Sequence, residues 1–160
     1  MGRAGKPLLS YINEILYLSK IEAGELEIER IETSLPQLLR EVDSLMRARA
    51  ADKGVTLRTT LATPSPSRIY SDPTRLRQIL VNLLGNAVKY TNKGGIVIRT
   101  RLVDSLPDNG SQLSDRVPYA TNAWIGIQVI DTGIGIHPAD QSRSFGEFEQ
   151  VDAGPAGHPA

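Results

Sequence analysis

There is no cysteine in this sequence. That removes disulfides and thiolate chemistry, and it agrees with a cytosolic setting. Net charge is missing too: 18 Lys and Arg balance 18 Asp and Glu, so no overall field draws the chain to nucleic acid or to a membrane surface. No apolar run approaches the roughly 18 residues needed to span a bilayer, no signal peptide opens the chain, and no internal repeat is visible. The expectation from these absences is a cytoplasmic protein with no membrane segment and no nucleic-acid partner. What is present is ordinary. The 160 residues are 40% apolar and 22% charged, suited to one domain, or one domain plus an appendage.

From about Lys6 to Ala23, Leu8, Leu9, Ile12, Ile15, Leu16, Leu18 and Ile21 fall on a broad helical stripe, and Gly24 reads as the stop. The stripe suits either a partner helix or an ordinary core. "ELEIERI" alternates, which predicts a strand over Glu25 to Ile31. Thr33 or Ser34 then caps a second helix, with Pro36 in its first turn and Gln37 completing an S-x-x-Q box. This helix is expected to reach about Asp52 and stop at Gly54. "VTLRTTL" predicts a strand, and "ATPSPS" a loop.

Asp72 and Pro73 form a helix start, a carboxylate cap followed by a residue with preset φ. The third helix is expected to end near Asn92, before Gly94 and Gly95. "GIVIRTRLV" and "WIGIQVI" read as strands, the second with Ile125, Ile127 and Val129 on one face. Between them, residues 104–122 are polar and read as a long loop. The tail "DAGPAGHPA" has a disordered composition. Helices mixed with mostly antiparallel strands, in a sheet covered on one side, make a two-layer α/β sandwich.

Two segments carry chemistry. In "ILVNLLGNAVKYT", asparagine is a poor interior helix residue because its amide competes for backbone hydrogen bonds. Yet Gln78, Asn82, Asn86 and Lys89 share a strip about 80° wide at about 100° per residue, opposite Leu76, Ile79, Leu80, Leu83, Leu84 and Ala87. Amide oxygens suit a hard cation such as Mg²⁺, and a lysine neutralises phosphate; hydrogen bonds to a loop would explain the strip equally well. In "VIDTGIGI" a strand ends in Asp131 and a glycine turn follows at once. Gly133 and Gly135 allow positive φ and close backbone approach. Asp131 could accept a hydrogen from an exocyclic amine, could simply cap the turn, or could belong to the Asp-Thr-Gly triplet of an aspartic protease.

Together the two segments resemble the ATP-binding domain of sensor histidine kinases, in the superfamily shared with gyrase, the Hsp90 chaperones and MutL. "DPTRLRQILVNLLGNAVKYTNKG" is similar to the family's N box and "DTGIGI" to its G1 box. "FGEFEQVD" resembles the F box, although Glu-Pro is the commoner pair between the phenylalanines. "INEILYLSKIEAGELEIE" resembles the end of the second dimerisation helix. The implied fold is the Bergerat-type sandwich in residues 25–160, incomplete at its C-terminus with a tail from about 152. It would follow part of a dimerisation helix in residues 1–24.

The resemblance implies a nucleotide site. Asn86 would ligate Mg²⁺ with Asn82 beside it, Lys89 would meet the ATP phosphates, and Tyr90 would lie against adenine. Asp131 would accept the adenine amino hydrogen, while Gly133, Gly135 and Ile136 would shape the pocket wall. Phe145 and Phe148 would be the F-box aromatics near the lid and stalk, or plain core residues. The implied reaction is transfer of the ATP γ-phosphoryl group to a histidine, then to an aspartate of a response-regulator receiver domain. The intact parent would be a homodimer through the helical stalk, cytoplasmic and in some cases membrane-anchored.

The departures from the pattern shape a further expectation. Neither His137 nor His158 stands in the H-box context, and the second glycine box, Gly-x-Gly-Leu-Gly, is missing. The expectation is a partial domain with no phosphoacceptor of its own, which does not phosphorylate itself. One alternative is an interaction module with a vestigial nucleotide site. An ATPase of the gyrase branch fits less well, since Asn82 stands where that branch carries a glutamate base, and an asparagine cannot take a proton. The protease reading leaves the N-box helix unexplained.

Overall fold

The computed structural model describes residues 16, 19, 23–24, 27–61, 63–103 and 124–141. Expectations for the rest of the first helix, the loop 104–122, Phe145, Phe148, His158 and the tail therefore lie outside the described residues. At the first stop, Leu16 and Ser19 are helical, Ala23 N–H donates to the Ser19 carbonyl at 3.0 Å, and Gly24 takes φ +68°.

Strand β1 is Ile31–Ser34, later than "ELEIERI" predicts. The reason is its partner. β1 runs antiparallel to β3, Arg68–Ser71, with Ile31 opposite Ser71 and Ser34 opposite Arg68. Ahead of it, Glu29 N–H donates to the Asp72 carboxylate at 3.1 Å instead of joining the ladder. Thr33 is buried and its hydroxyl donates to the Ile31 and Ser71 carbonyls.

Helix α1, Leu35–Asp52, starts where the capping pattern places it. Ser34 Oγ accepts from Gln37 N–H at 3.4 Å, and Pro36 occupies the first turn. Only half of the box forms, because the Gln37 amide donates forward to Glu41 Oε1 at 3.1 Å. The helix stops at Gly54, φ +73°, with Gly54 and Val55 N–H groups taking the Ala51 and Ala50 carbonyls at 2.9 Å each. A left-handed residue there is the usual glycine termination.

The main sheet has the order β2 (Thr56–Thr60), β4 (Gly95–Val103), β5 (Trp124–Asp131). β4 and β5 are antiparallel as expected, whereas β2 and β4 are parallel. Parallel neighbours need a long crossover, and here it holds β3 and helix α2, Pro73–Tyr90. Period-2 alternation turns Leu57, Ile96 and Ile98 inward. They meet Leu35, Leu38, Leu39, Val42, Met46 and Ala50 of α1 and Leu80, Leu84, Ala87 and Val88 of α2, with Ile125, Ile127 and Val129 packed alongside. Arg58, Arg99, Arg101 and Gln128 are exposed on the opposite face. The result is a two-layer α/β sandwich. The buried stripe of α2 is rotated from the expected one: it takes in Val88, while Ile79 and Leu83 are 52% and 44% exposed.

Candidate functional site

Helix α2 is fixed at both ends. At its start, Asp72 is 7% exposed; Oδ1 accepts from Arg75 N–H at 3.0 Å and Oδ2 from Glu29 N–H. These bonds, the Arg75 amide first, hold its carboxyl below the usual carboxylate range against the opposing effect of burial. At the far end, Lys53 Nζ donates to the Val88 carbonyl at 2.7 Å and the Lys89 carbonyl at 2.6 Å. The next carbonyl, of Tyr90, accepts from Ile134 N–H at 3.2 Å.

That last bond joins the two motifs. The turn after β5 is built by Asp131, whose Oδ1 accepts from Gly133 N–H at 2.8 Å. Thr132 ties it to the loop after α2: its hydroxyl donates to the Lys93 carbonyl at 3.0 Å and accepts from Gly95 N–H at 3.1 Å. Gly94, at φ +103°, makes room for that hydroxyl, which would stand 2.2 Å from a Cβ on residue 94. The two turn glycines differ from expectation. Gly135 has φ +74°, but Gly133 does not adopt positive φ. Gly133 is needed for space, since a Cβ there would meet the Tyr90 carbonyl oxygen at 2.6 Å.

Tyr90, Asp131 and Gly133 are thus brought together at the C-terminal end of α2. Lys89 adjoins them, its ammonium 5.1 Å from the Tyr90 ring centroid. Asn86 and Asn82 lie one and two turns back, about 6 and 12 Å along the axis, and both are exposed. Gly135 and Ile136 follow the turn and are exposed as well. His137 is an exposed residue ahead of the short helix α3, Pro138–Gln141, where its Nδ1 accepts from Ala139 N–H at 3.3 Å.

The donor set suits a nucleotide. Asp131 keeps Oδ2 without a hydrogen bond from any described residue, leaving an acceptor for an amine. Thr91, fully buried behind Gly133, has a hydroxyl with no partner among the described residues. No group of three or more His, Cys, Asp or Glu that could cage a metal exists among the described residues. A Mg²⁺ carried largely by phosphates and water needs only one or two oxygen ligands from the protein, and the amide oxygen of Asn86 is a ligand of that kind. A groove of about 710 Å³ lies elsewhere, lined by Gln37, Arg40, Glu41, Ser44, Leu45 and Arg77. Its Arg77 and Glu41 pair with each other at 2.6 Å, and Gln37 donates to the same Glu41 carboxylate.

Residues 71–158 match the family described as histidine kinase-, DNA gyrase B-, and HSP90-like ATPase. The chain belongs to that family. This ATPase-family domain is 40% identical to the signal transduction histidine-protein kinase BarA of Escherichia coli over 94% of its own length and 15% of BarA. It is 39% identical to the sensor protein GacS of Pseudomonas syringae, covering 91% of this chain and 15% of GacS. Among solved structures it resembles full-length ShkA in complex with AMPPNP, with TM-score 0.69 and 34% identity over 88% of this chain and 26% of ShkA. The catalytic domain of histidine kinase ThkA shares the fold, with TM-score 0.57 at 20% identity over 78% of this chain and 72% of that one. Membership of the ATPase family expected from the motifs is thereby borne out, while the chain spans only about 15% of the curated relatives' length.

Sequence reasoning did not find Lys53, Thr91 or Thr132. Thr132 had a local signal, standing between a strand-end carboxylate and a glycine. Lys53 reads only as a basic residue beside a helix stop, because its partners are 35 and 36 residues away.

Proposed function

We propose that this domain binds Mg²⁺–ATP and, in the protein it belongs to, supplies the γ-phosphoryl group for a phosphoacceptor histidine and then a receiver-domain aspartate. The observation that carries the reading is the Ile134-to-Tyr90 backbone bond. It brings the adenine-type acceptor Asp131 to the helix end that holds Lys89 and Tyr90. Similarity to ShkA, solved in complex with AMPPNP, supports the same reading.

In this reading Asp131 accepts the adenine amino hydrogen through Oδ2, its Oδ1 being taken by Gly133 N–H. Tyr90 lies against the ring, and Gly133, Gly135 and Ile136 form the wall. Lys89 neutralises phosphate oxygens and holds them, and Asn86, with Asn82 beside it, offers an amide oxygen to the metal. Bound Mg²⁺ supplies charge neutralisation on the phosphates. The protein's own contribution is positioning, which alone removes much of the barrier to a reaction between two bound groups. The proposed partners are a receiver domain and a second copy through the helical stalk, and the proposed setting is the cytoplasm.

Calorimetric titration of the chain with ATP and ADP, with and without Mg²⁺, tests the reading. Saturable binding strengthened by Mg²⁺ is expected; no heat from either nucleotide at millimolar concentration would overturn it. The phosphoryl-transfer step is checked by adding a separate dimerisation and phosphoacceptor domain from a relative with γ-labelled ATP. Acid-labile, base-stable label on that domain's histidine is the expected product.

A further inference from the structure

Lys53 belongs to none of the motifs, yet it holds the helix that carries the first of them. Its backbone is fixed as the C-cap of α1, with its N–H on the Ala50 and Ala51 carbonyls. From there the side chain reaches across to the last turn of α2 and bonds two successive carbonyls, of Val88 and Lys89, at 2.7 and 2.6 Å. Three residues on, Thr56 N–H donates to the Gly94 carbonyl at 3.1 Å, and the Thr56 hydroxyl reaches the same oxygen at 3.3 Å. Residues 53–56 therefore grip both ends of segment 88–94. The glycine turn grips the same segment from the other side, through Tyr90 and Lys93.

A helix C-terminus exposes unsatisfied carbonyls and carries partial negative charge. Two consequences follow for a nucleotide that sits there. Without a cation on those carbonyls, the end of α2 would fray, and Lys89 and Tyr90 project from the fraying turn. Reorienting the Tyr90 peptide would also disturb the acceptor that Ile134 uses, moving the glycine turn and Asp131 with it.

We propose that Lys53 is a positioning residue of the nucleotide site, setting Tyr90 and the Asp131 turn through its two bonds to the last turn of α2. The proposal rests on the ATP-binding reading above. Lys53 is exposed, so water can take over the two carbonyls when its ammonium is removed. Loss of the ammonium should therefore shift the site rather than unfold the chain.

The test compares wild type, Lys53→Met and Lys53→Arg in the full 160-residue chain, by displacement of a fluorescent ATP analogue with ADP and with AMP. Circular dichroism fixes a temperature at which all three are fully folded, so that lowered stability alone leaves affinity unchanged. Lys53→Met is expected to weaken ADP and AMP alike, by about tenfold, the scale of a hydrogen bond to a charged group. Lys53→Arg should recover most of the loss, since its guanidinium also donates to paired carbonyls. Unchanged affinity in folded Lys53→Met would overturn the proposal, as would a loss for ADP with none for AMP, which would mean direct contact with phosphate. If Lys53→Met does not fold, Lys53→Gln, which keeps a donor without charge, is read in the same way. Failure of wild type to bind either nucleotide would instead overturn the ATP-binding reading.

Discussion

The ammonium of Lys89 lies over the ring of Tyr90, 5.1 Å from its centroid. The proposed nucleotide would use both residues differently, Tyr90 against adenine and Lys89 on phosphate, so binding must break this cation–π contact. At an exposed site such a contact is worth only about 0.5–1 kcal/mol, a small barrier to exchange. Lys89→Met is expected to reduce ATP affinity about tenfold and adenosine affinity much less, as measured by displacement titration. Equal losses for the two ligands would take Lys89 off the phosphates.

Asn86→Ala should abolish the Mg²⁺-dependent part of ATP binding. Asn86 is exposed on α2, and alanine has the better helix propensity, so thermal stability should hold or rise slightly. Calorimetry with and without Mg²⁺ reads the first effect and a thermal melt the second. A mutant that keeps its Mg²⁺ enhancement would remove the metal from this residue.

Asp131 should make the site choose adenine over guanine, which presents a carbonyl where adenine has an amino group. A carboxylate left facing that oxygen is unpaired, and the mismatch should favour ATP over GTP by at least about 10-fold. In Asp131→Asn the amide oxygen still accepts from Gly133 N–H, so the turn survives while the preference relaxes. Competition by the two nucleotides against a fluorescent analogue measures both.

The two turn glycines should fail differently. Gly133→Ala sets a methyl 2.6 Å from the Tyr90 carbonyl oxygen, so turn and helix end must part. Nucleotide affinity should fall by about tenfold or more, with loss of the Ile134–Tyr90 bond. Gly135→Ala meets no atom within 4 Å but keeps φ +74°, so its cost is conformational, roughly 1 kcal/mol. Denaturant midpoints and nucleotide affinity, measured on both variants, separate the two.

Asp72 should make the fold sensitive to acid. Its folded-state carboxyl titrates below its ordinary value, chiefly through the Arg75 amide. Its ionised form therefore adds stability above the unfolded value of about 3.9. That contribution disappears as pH falls through the lower folded value. Glu41, held down mainly by its hydrogen bond from Arg77, acts in the same direction. Asparagine caps a helix as well as aspartate does, so Asp72→Asn should be less stable than wild type at pH 7, with the gap closing below about pH 4. Urea midpoints measured across that range check the sign.

The parts legible in the sequence are those with local punctuation. Asp-Pro starts α2 and Gly94-Gly95 opens β4, and both elements begin where those residues place them. β1 lies later than the alternation of "ELEIERI" places it, because its register is decided by a strand some 38 residues away. β3 leaves no signal in the sequence, because "RIYS" is too short to show a period and sits between a proline-rich loop and a helix cap. In the candidate site, residue types and faces could be read from spacing. The close fit of Gly133 under the Tyr90 carbonyl could not, since no sequence pattern records a distance between backbones.

The restraints on α2 also have an order in time. Its N-terminal tie to Glu29 and its C-terminal tie to Lys53 both come from residues already synthesised when the helix appears, whereas the tie to Ile134 comes from the turn after β5, made later. A nascent chain emerging from the ribosome can therefore clamp the helix at both ends before the adenine side exists. In the proposed reading the nucleotide site is complete only once β5 has paired with β4 and brought the turn onto the helix end.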